Sequence, residues 1–194
     1  MPRTKTKSLL RSLLAIGAAG ALAGFGTFSA FSSSTENPGN QIDTGTVALS
    51  DNDSGTALYD VSDARAGTTV DRCITVTYGG DVDADVKLYL PDAVGALAQY
   101  VDLTVTPGTD PTPSFGDCTG FVADGAALFT GTLQGFRTAH NSWANGLVDN
   151  PGSTTKWGQG NSVTYRFQLT VQDDNNAQGK ATGTHRLMWE ARNQ

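Results

Sequence analysis

Apolar and polar residues alternate along several stretches of this 194-residue chain, and this period of two constrains the fold more than any other feature of the sequence. The clearest stretch spans 163–171, and similar patterns cover 70–78, 82–90 and 182–191. The apolar positions of the clearest stretch are Val163, Tyr165, Phe167, Leu169 and Val171. Because alternate side chains of a strand point to opposite faces, each stretch predicts a strand with one buried and one solvated face.

The first two of these strands in chain order are expected to pair as a hairpin. One ends at Tyr78, Gly79-Gly80 follows, and the next alternating run begins at Val82. At the other end of the chain, Asp173 to Asn176 supplies a turn before the last strand.

Helical patterning is short. Pro91-Asp92 is a favourable helix start followed by apolar residues at helical spacing as far as Val101, and Leu133 to His140 indicates one further helix of a turn or two. Segments 106–115 and 149–161 are rich in Pro, Gly, Thr and Ser and are predicted as loops. The predicted fold is therefore all-β, with two antiparallel sheets packed as a sandwich and one or two short helices in the connections.

The first 29 residues have the layout of a secretory signal peptide. An uncharged run rich in Ala, Gly and Leu spans 12–35 and is preceded by four basic residues, Arg3, Lys5, Lys7 and Arg11. Small side chains at its end suit a signal peptidase, which predicts cleavage between Ser29 and Ala30. The alternative is a retained membrane anchor, since the run is just long enough to span a bilayer, although its Gly and Ser residues dilute the hydrophobicity.

Cleavage at this junction leaves a segment over 30–41, which is expected to be flexible, followed by one sandwich domain over 42–194. Once the four basic residues of the leader are removed from the total of 13, nine Lys and Arg remain against 19 Asp and Glu, a net charge near minus ten. An acidic surface repels phosphate, so nucleic acid is not expected as a partner. Contact with a membrane is expected only through an uncleaved leader.

Cys73 and Cys118 are the two cysteines of the chain. In an exported protein an even count favours a disulfide over a metal pair or a redox motif. The alternative, a nucleophilic cysteine, is not supported by a Cys-x-x-Cys motif or by an adjacent His.

No pattern of catalytic or metal-binding residues is evident, so the chain is not expected to be an enzyme or to hold a cofactor. A zinc peptidase needs two His one helical turn apart with a Glu between them, whereas His140 and His185 are far apart in sequence. No Gly-x-Ser-x-Gly elbow favours a serine hydrolase. Acidic residues from Asp81 to Asp92 copy the spacing of a calcium-binding loop, but Val86 replaces the Gly of its turn and the segment alternates like a strand.

Three aromatic residues in predicted connections, Tyr100, Trp143 and Trp157, offer a further alternative. Aromatic faces stack on sugar rings, so they could line a carbohydrate-binding patch of an adhesive module. Burial of these side chains in the domain would explain them equally well.

The two ends of the chain resemble the TasA and camelysin-like proteins, a family exported through a distinctive leader and specialised signal peptidases. The stretch Gly24-Phe25-Gly26-Thr27-Phe28-Ser29-Ala30-Phe31 is similar to the family's leader junction, and Ile42 to Leu49 is similar to its first strand. Segments 66–78 and 84–90 resemble its paired-strand region, with Ala66 in place of the usual Pro. Gln178-Gly179 and Trp189-Glu190-Ala191 resemble its closing strand, whereas 107–156 is only loosely similar.

This resemblance implies a jelly-roll-like sandwich that is secreted or displayed on the cell surface. Its best-known members polymerise into biofilm matrix fibres, in which an extended amino segment of one subunit completes the sheet of the next. The matching segment here is 30–40, whose Pro38 lacks a backbone donor and makes a poor strand. The cysteine pair is closer to the actinobacterial members. Expected partners are therefore a signal peptidase, further copies of the chain and components of the matrix. Some members carry a metallopeptidase label, which the two histidines do not support.

Overall fold

A computed structural model describes residues 45–152 and 154–193, so the signal peptide over 1–29, the Ser29 and Ala30 junction and the 30–41 segment lie outside the described residues. The described part holds nine strands, one α-helix and three single-turn 3-10 helices. The strands are β1 (Leu49–Asp51), β2 (Thr69–Tyr78), β3 (Asp85–Tyr89), β4 (Val101–Thr109), β5 (Val122–Ala123), β6 (Phe129–Thr132), β7 (Leu147–Val148), β8 (Ser162–Val171) and β9 (Met188–Arg192). The helix α1 is Leu133–Ala139, and the 3-10 helices are Ala98–Tyr100, Trp143–Asn145 and Asn175–Ala177.

The strands form two sheets whose neighbours are all antiparallel. The larger sheet has the order β1-β2-β8-β4-β5, with β6 also paired to β4, and the smaller one has the order β7-β3-β9. The predicted two-sheet all-β architecture is confirmed. β8 lies at the centre of the larger sheet, paired with β2 on one side and β4 on the other.

One hydrophobic core contains side chains of both sheets. Trp189 of β9 packs on Tyr165 and Phe167 of β8, with ring centroids 5.5 and 6.1 Å apart. The core side chains of β8 are the ones that the alternation predicted, because Val163, Tyr165, Phe167 and Leu169 are all buried. Both faces of β2 are covered in part, since Cys73 and Thr75 on its outer face are also buried.

The predicted hairpin between the first two strands is wrong. β2 pairs with β1 and β8, whereas β3 belongs to the other sheet. Gly79 and Gly80 lead the chain out of the larger sheet, and the backbone N–H groups of Gly79 and Asp81 donate to Ala48 and Thr46. The chain therefore crosses between the sheets after Tyr78.

The predicted helix after Pro91 is also wrong, apart from the single 3-10 turn Ala98–Tyr100. The N–H groups of Gly95 and Leu97 donate to the carbonyls of Thr182 and Ala181, at 2.6 and 3.2 Å. These donors are used in a contact between distant segments instead of in helical hydrogen bonds. The predicted helix near residue 133 is confirmed as α1.

Several strands begin or end at residues other than the predicted ones. β4 continues to Thr109, so the loop predicted over 106–115 begins four residues too early. β9 begins at Met188 instead of Thr182, because the preceding segment contacts Gly95 and Leu97. The described part of the strand predicted over 42–49 is regular only from Leu49.

Candidate functional site

The candidate site lies where an edge of β1 comes close to an edge of β9. Among residues 45–152 and 154–193, β1 pairs only with β2 and β9 pairs only with β3, so each strand has one edge without a described partner. The two strands contact each other but belong to different sheets. Unpaired N–H and C=O groups along such edges are sites where another strand can add.

A groove of about 240 Å³ lies between these edges. We call it the β1–β9 groove, and its lining is Leu49, Ser50, Asp51, Asp53, Val76, Leu187, Met188 and Trp189. Leu49, Leu187 and Trp189 are partly buried and pack against the core, so the groove continues the apolar interior toward solvent. Its rim is polar, since Ser50 and Asp51 are exposed. The arrangement suits an extended segment that inserts apolar side chains while its backbone pairs with an edge.

The end of β1 and the turn after it contribute two carboxylates, Asp51 and Asp53, to the lining of the groove. Asp51 accepts a hydrogen bond from the Asp53 N–H at 3.1 Å, and Asp53 accepts one from the Gly55 N–H at 2.6 Å. Partial desolvation raises the pKa of the Asp51 carboxyl; the hydrogen bond from the Asp53 N–H opposes this rise, and the nearby Asp53 carboxylate adds to it. Ser54 and Gly55 have positive φ values of 52° and 79°, which close the turn.

The chain just before β1 is held by a short polar contact. The N–H and hydroxyl of Thr46 both donate to the Asp81 carboxylate, and these bonds lower the pKa of Asp81. A Cβ on Gly80 would lie only 2.5 Å from the Thr46 carbonyl oxygen, so a larger residue would displace this segment. The entry of the chain into β1 is therefore fixed in position.

The predicted disulfide between Cys73 and Cys118 is confirmed, with a Cα–Cα distance of 5.1 Å. It ties the connection between β4 and β5 to the outer face of β2. Next to the disulfide, Arg166 of β8 donates two hydrogen bonds to the Asp71 carboxylate, and these bonds raise the pKa of the arginine. The Cζ atom of Arg166 lies 5.9 Å from the centroid of the Phe121 ring. This face of the larger sheet is therefore covered by the disulfide loop and is structural.

The two histidines have different hydrogen-bond partners among the residues that the structure describes. His140 contacts the Asn145 carbonyl at 2.8 Å through Nδ1, and its ring packs on Phe136. His185 contacts the Tyr59 hydroxyl at 2.7 Å through Nε2 and the Gly183 carbonyl through Nδ1. Each imidazole thus connects loop segments, and the structure does not bring them together as a ligand pair.

The aspartates between residues 81 and 92 are also separated. Asp85 lies in β3 and pairs with Lys156 at 3.7 Å, whereas Asp92 pairs with Arg186 at 3.5 Å. Asp81 is bound by Thr46. Within residues 45–152 and 154–193, no three His, Cys, Asp or Glu side chains are grouped so that they could hold a metal ion.

The three aromatic residues considered for carbohydrate binding are occupied by protein contacts. Trp157 is fully buried and donates through Nε1 to the Asp149 carbonyl at 2.6 Å. Trp143 has Arg192 and Lys87 at 4.5 and 4.8 Å from its ring centroid. The Nζ atom of Lys180 lies 4.8 Å from the centroid of the Tyr100 ring. They do not form one exposed stacking surface.

The β1–β9 groove was not evident from the sequence. Its two sides are more than 130 residues apart in the chain, and the alternation of β1 and β9 carries no signal that the strands meet. Among the described helices, none has the length and apolar character needed to cross a bilayer. The sequence matches no protein-family model and no curated protein.

Proposed function

We propose that this protein is an exported, non-catalytic structural protein of the cell surface or extracellular matrix, whose copies associate through strand addition at the β1–β9 groove. The observation that carries the proposal is the groove of mixed polar and apolar lining between two strand edges that have no partner strand among the described residues. The leader-like amino end and the resemblance to TasA and camelysin-like proteins support the same assignment.

The other strand edges of the described domain are less suitable. β5 and β7 have two residues each, too short to pair with more than a small part of an added strand. β6 runs directly into α1 at Leu133. β9 has five residues and is bordered by the groove, so it offers both backbone groups and apolar contacts.

The first experiment is expression of the full-length chain in a secreting host. Mass spectrometry of the exported product should give Ala30 as its first residue, and negative-stain microscopy should show filaments or large oligomers. A product that stays monomeric at high concentration and does not associate with cells or matrix would contradict the structural assignment. A product that keeps its leader in the membrane fraction would show that the leader is an anchor.

A substitution in the groove tests the proposed contact. Ser50→Lys places an ammonium group at the rim, where docking of a strand would desolvate it, so the concentration at which assembly begins should rise roughly tenfold or more. Ser50 is exposed, and the variant should therefore keep the stability of the unchanged protein. Val122→Lys is the matched control, since Val122 is 63 % exposed on β5 and away from the groove lining. Equal assembly by all three proteins would exclude the groove as the contact.

A further inference from the structure

The turn after β1 contains a feature that the proposed assembly does not use. Asn52-Asp53-Ser54 is the one Asn-x-Ser/Thr sequence without an intervening Pro in the 194 residues. This tripeptide is the acceptor for N-linked glycosylation, and it functions where it lies on the surface of an exported protein.

The orientation of the Asn52 side chain suits this modification. Its Oδ1 accepts a hydrogen bond from the Thr75 N–H at 3.0 Å, which fixes the oxygen toward β2. The Nδ2 atom, to which a glycan would be attached, has no acceptor among the described residues and is not buried. The amide nitrogen therefore reaches solvent while the amide oxygen supports the fold.

Ser54, the third residue of the tripeptide, is also accessible. Ser54 is exposed, its hydroxyl has no partner in the described part of the chain, and its φ of 52° places it at the outer corner of the turn. Gly55 beside it has open space around the position of a Cβ. A bulky substituent on Nδ2 can leave the protein surface here without displacing a packed side chain.

We propose that Asn52 is an N-glycosylation site. The donor is a lipid-linked oligosaccharide whose first sugar is joined through C1 to a phosphate group. Nδ2 forms a bond to C1, the bond between C1 and the phosphate oxygen breaks, the phosphate leaves with the electron pair, and Nδ2 loses one proton to the transferase. The hydrogen bond from Thr75 to Oδ1 is compatible with the product, because the linkage is still an amide.

This inference rests on the proposed export of the protein, since the lipid-linked donor is used at the far side of the membrane. A glycan on Asn52 would stand in the solvent beside Asp51 and Asp53, two residues that line the β1–β9 groove. Bulk at an open edge limits unwanted pairing of strands.

One peptide tests both the site and the export. The first Lys or Arg after the leader is Arg65, so digestion of the mature protein with trypsin gives a peptide that ends there and contains Asn52. We would isolate the full chain from the cells that naturally produce it and fragment this peptide by mass spectrometry. The expected result is a peptide that starts at Ala30 and carries a glycan on Asn52.

Two variants of Ser54 provide the controls without changing Asn52 or its bond to Thr75. Ser54→Ala should remove the glycan completely, whereas Ser54→Thr should keep it. An exported protein whose Asn52 is unmodified, or whose glycan persists in Ser54→Ala, would overturn the site and leave the proposed structural function intact. A protein that keeps its leader and stays inside the cell would overturn both.

Discussion

The environment of the Asp149 carboxyl makes the stability of the protein depend on pH. Burial raises its pKa, and the neighbouring Tyr165 hydroxyl opposes this in part. Its Oδ2 is buried without a hydrogen-bond partner in the described residues. The pKa of Asp149 is therefore higher in the folded than in the unfolded chain, so the folded state binds more protons between the two values.

We accordingly expect Asp149 to make the protein less stable as the pH rises from about 4 through the pKa of the folded state. Asp149→Asn should flatten this decline, because it removes the titrating group. Urea unfolding at a series of pH values measures the effect. Asp60→Asn, at an exposed position, is the control and should keep the decline; an unchanged decline in Asp149→Asn would show that another group causes it.

A second prediction for a single residue concerns Thr132. It is the N-cap of α1, and its hydroxyl accepts a hydrogen bond from the Gly135 N–H at 3.0 Å. Thr132→Ala should lower the free energy of unfolding by about 1 kcal/mol. Thr130→Ala, in the same strand and exposed, should change it by no more than about 0.5 kcal/mol. Thermal or urea denaturation compares the two, and equal losses would mean that the cap does not stabilise the helix.

At the scale of secondary-structure elements, the disulfide connects β2 to the loop that follows β4. The pairing of Cys73 with Cys118 closes a loop of 45 residues, for which the chain-entropy model gives about 4 kcal/mol of stabilisation. Replacing both cysteines by Ser should lower the free energy of unfolding by roughly this amount, and reduction of the unchanged protein should have a similar effect. A loss below about 1 kcal/mol in both experiments would show that the unfolded chain is already restricted without the bond.

Element by element, the sequence predicted the strands better than their partners. β8 alternates over its full length and is buried on the predicted side. The same pattern in β2 and β3 could not show that they belong to different sheets, because an apolar stripe faces the core equally well from either sheet. The cysteines were predicted to pair by count, and the position of the bond across the sheet came only from the structure.

The predicted helix after Pro91 failed for a related reason. The spacing of apolar residues is local information, whereas Gly95 and Leu97 donate to Thr182 and Ala181, almost ninety residues away. Likewise the β1–β9 groove depends on two edges that meet only in the folded chain. The strand content was thus predictable from periodicity, and the candidate site was not.

At the scale of the whole molecule, the surface is strongly acidic. Residues 45–193 contain nine Lys and Arg against 17 Asp and Glu, and exposed ion pairs such as Arg186 with Asp92 contribute little stability. Repulsion among the remaining carboxylates opposes the compact state, and salt screens it. We expect the unfolding temperature at neutral pH to rise by several degrees between about 10 mM and 1 M sodium chloride.

Calorimetry at increasing sodium chloride concentration tests this expectation, and sucrose at matched osmolality is the control, since it stabilises by exclusion without screening charge. At pH values low enough to protonate the carboxylates, the salt effect should shrink. A temperature that falls with added salt would show that attractive ion pairs outweigh the repulsion.

The disulfide also determines how the domain would respond to mechanical force. The loop that it closes contains the whole of β3 and β4, so it includes strands of both sheets. If subunits were joined in a fibre under tension, β1 and β9 at the sheet edges could peel away, but the closed loop could not lengthen. Extension of an oxidised domain would be shorter than that of a reduced one by the length of 45 residues, about 150 Å. The disulfide would thus limit how far the domain extends under force. It would also keep the residues of the closed loop close together, which favours refolding when the tension falls.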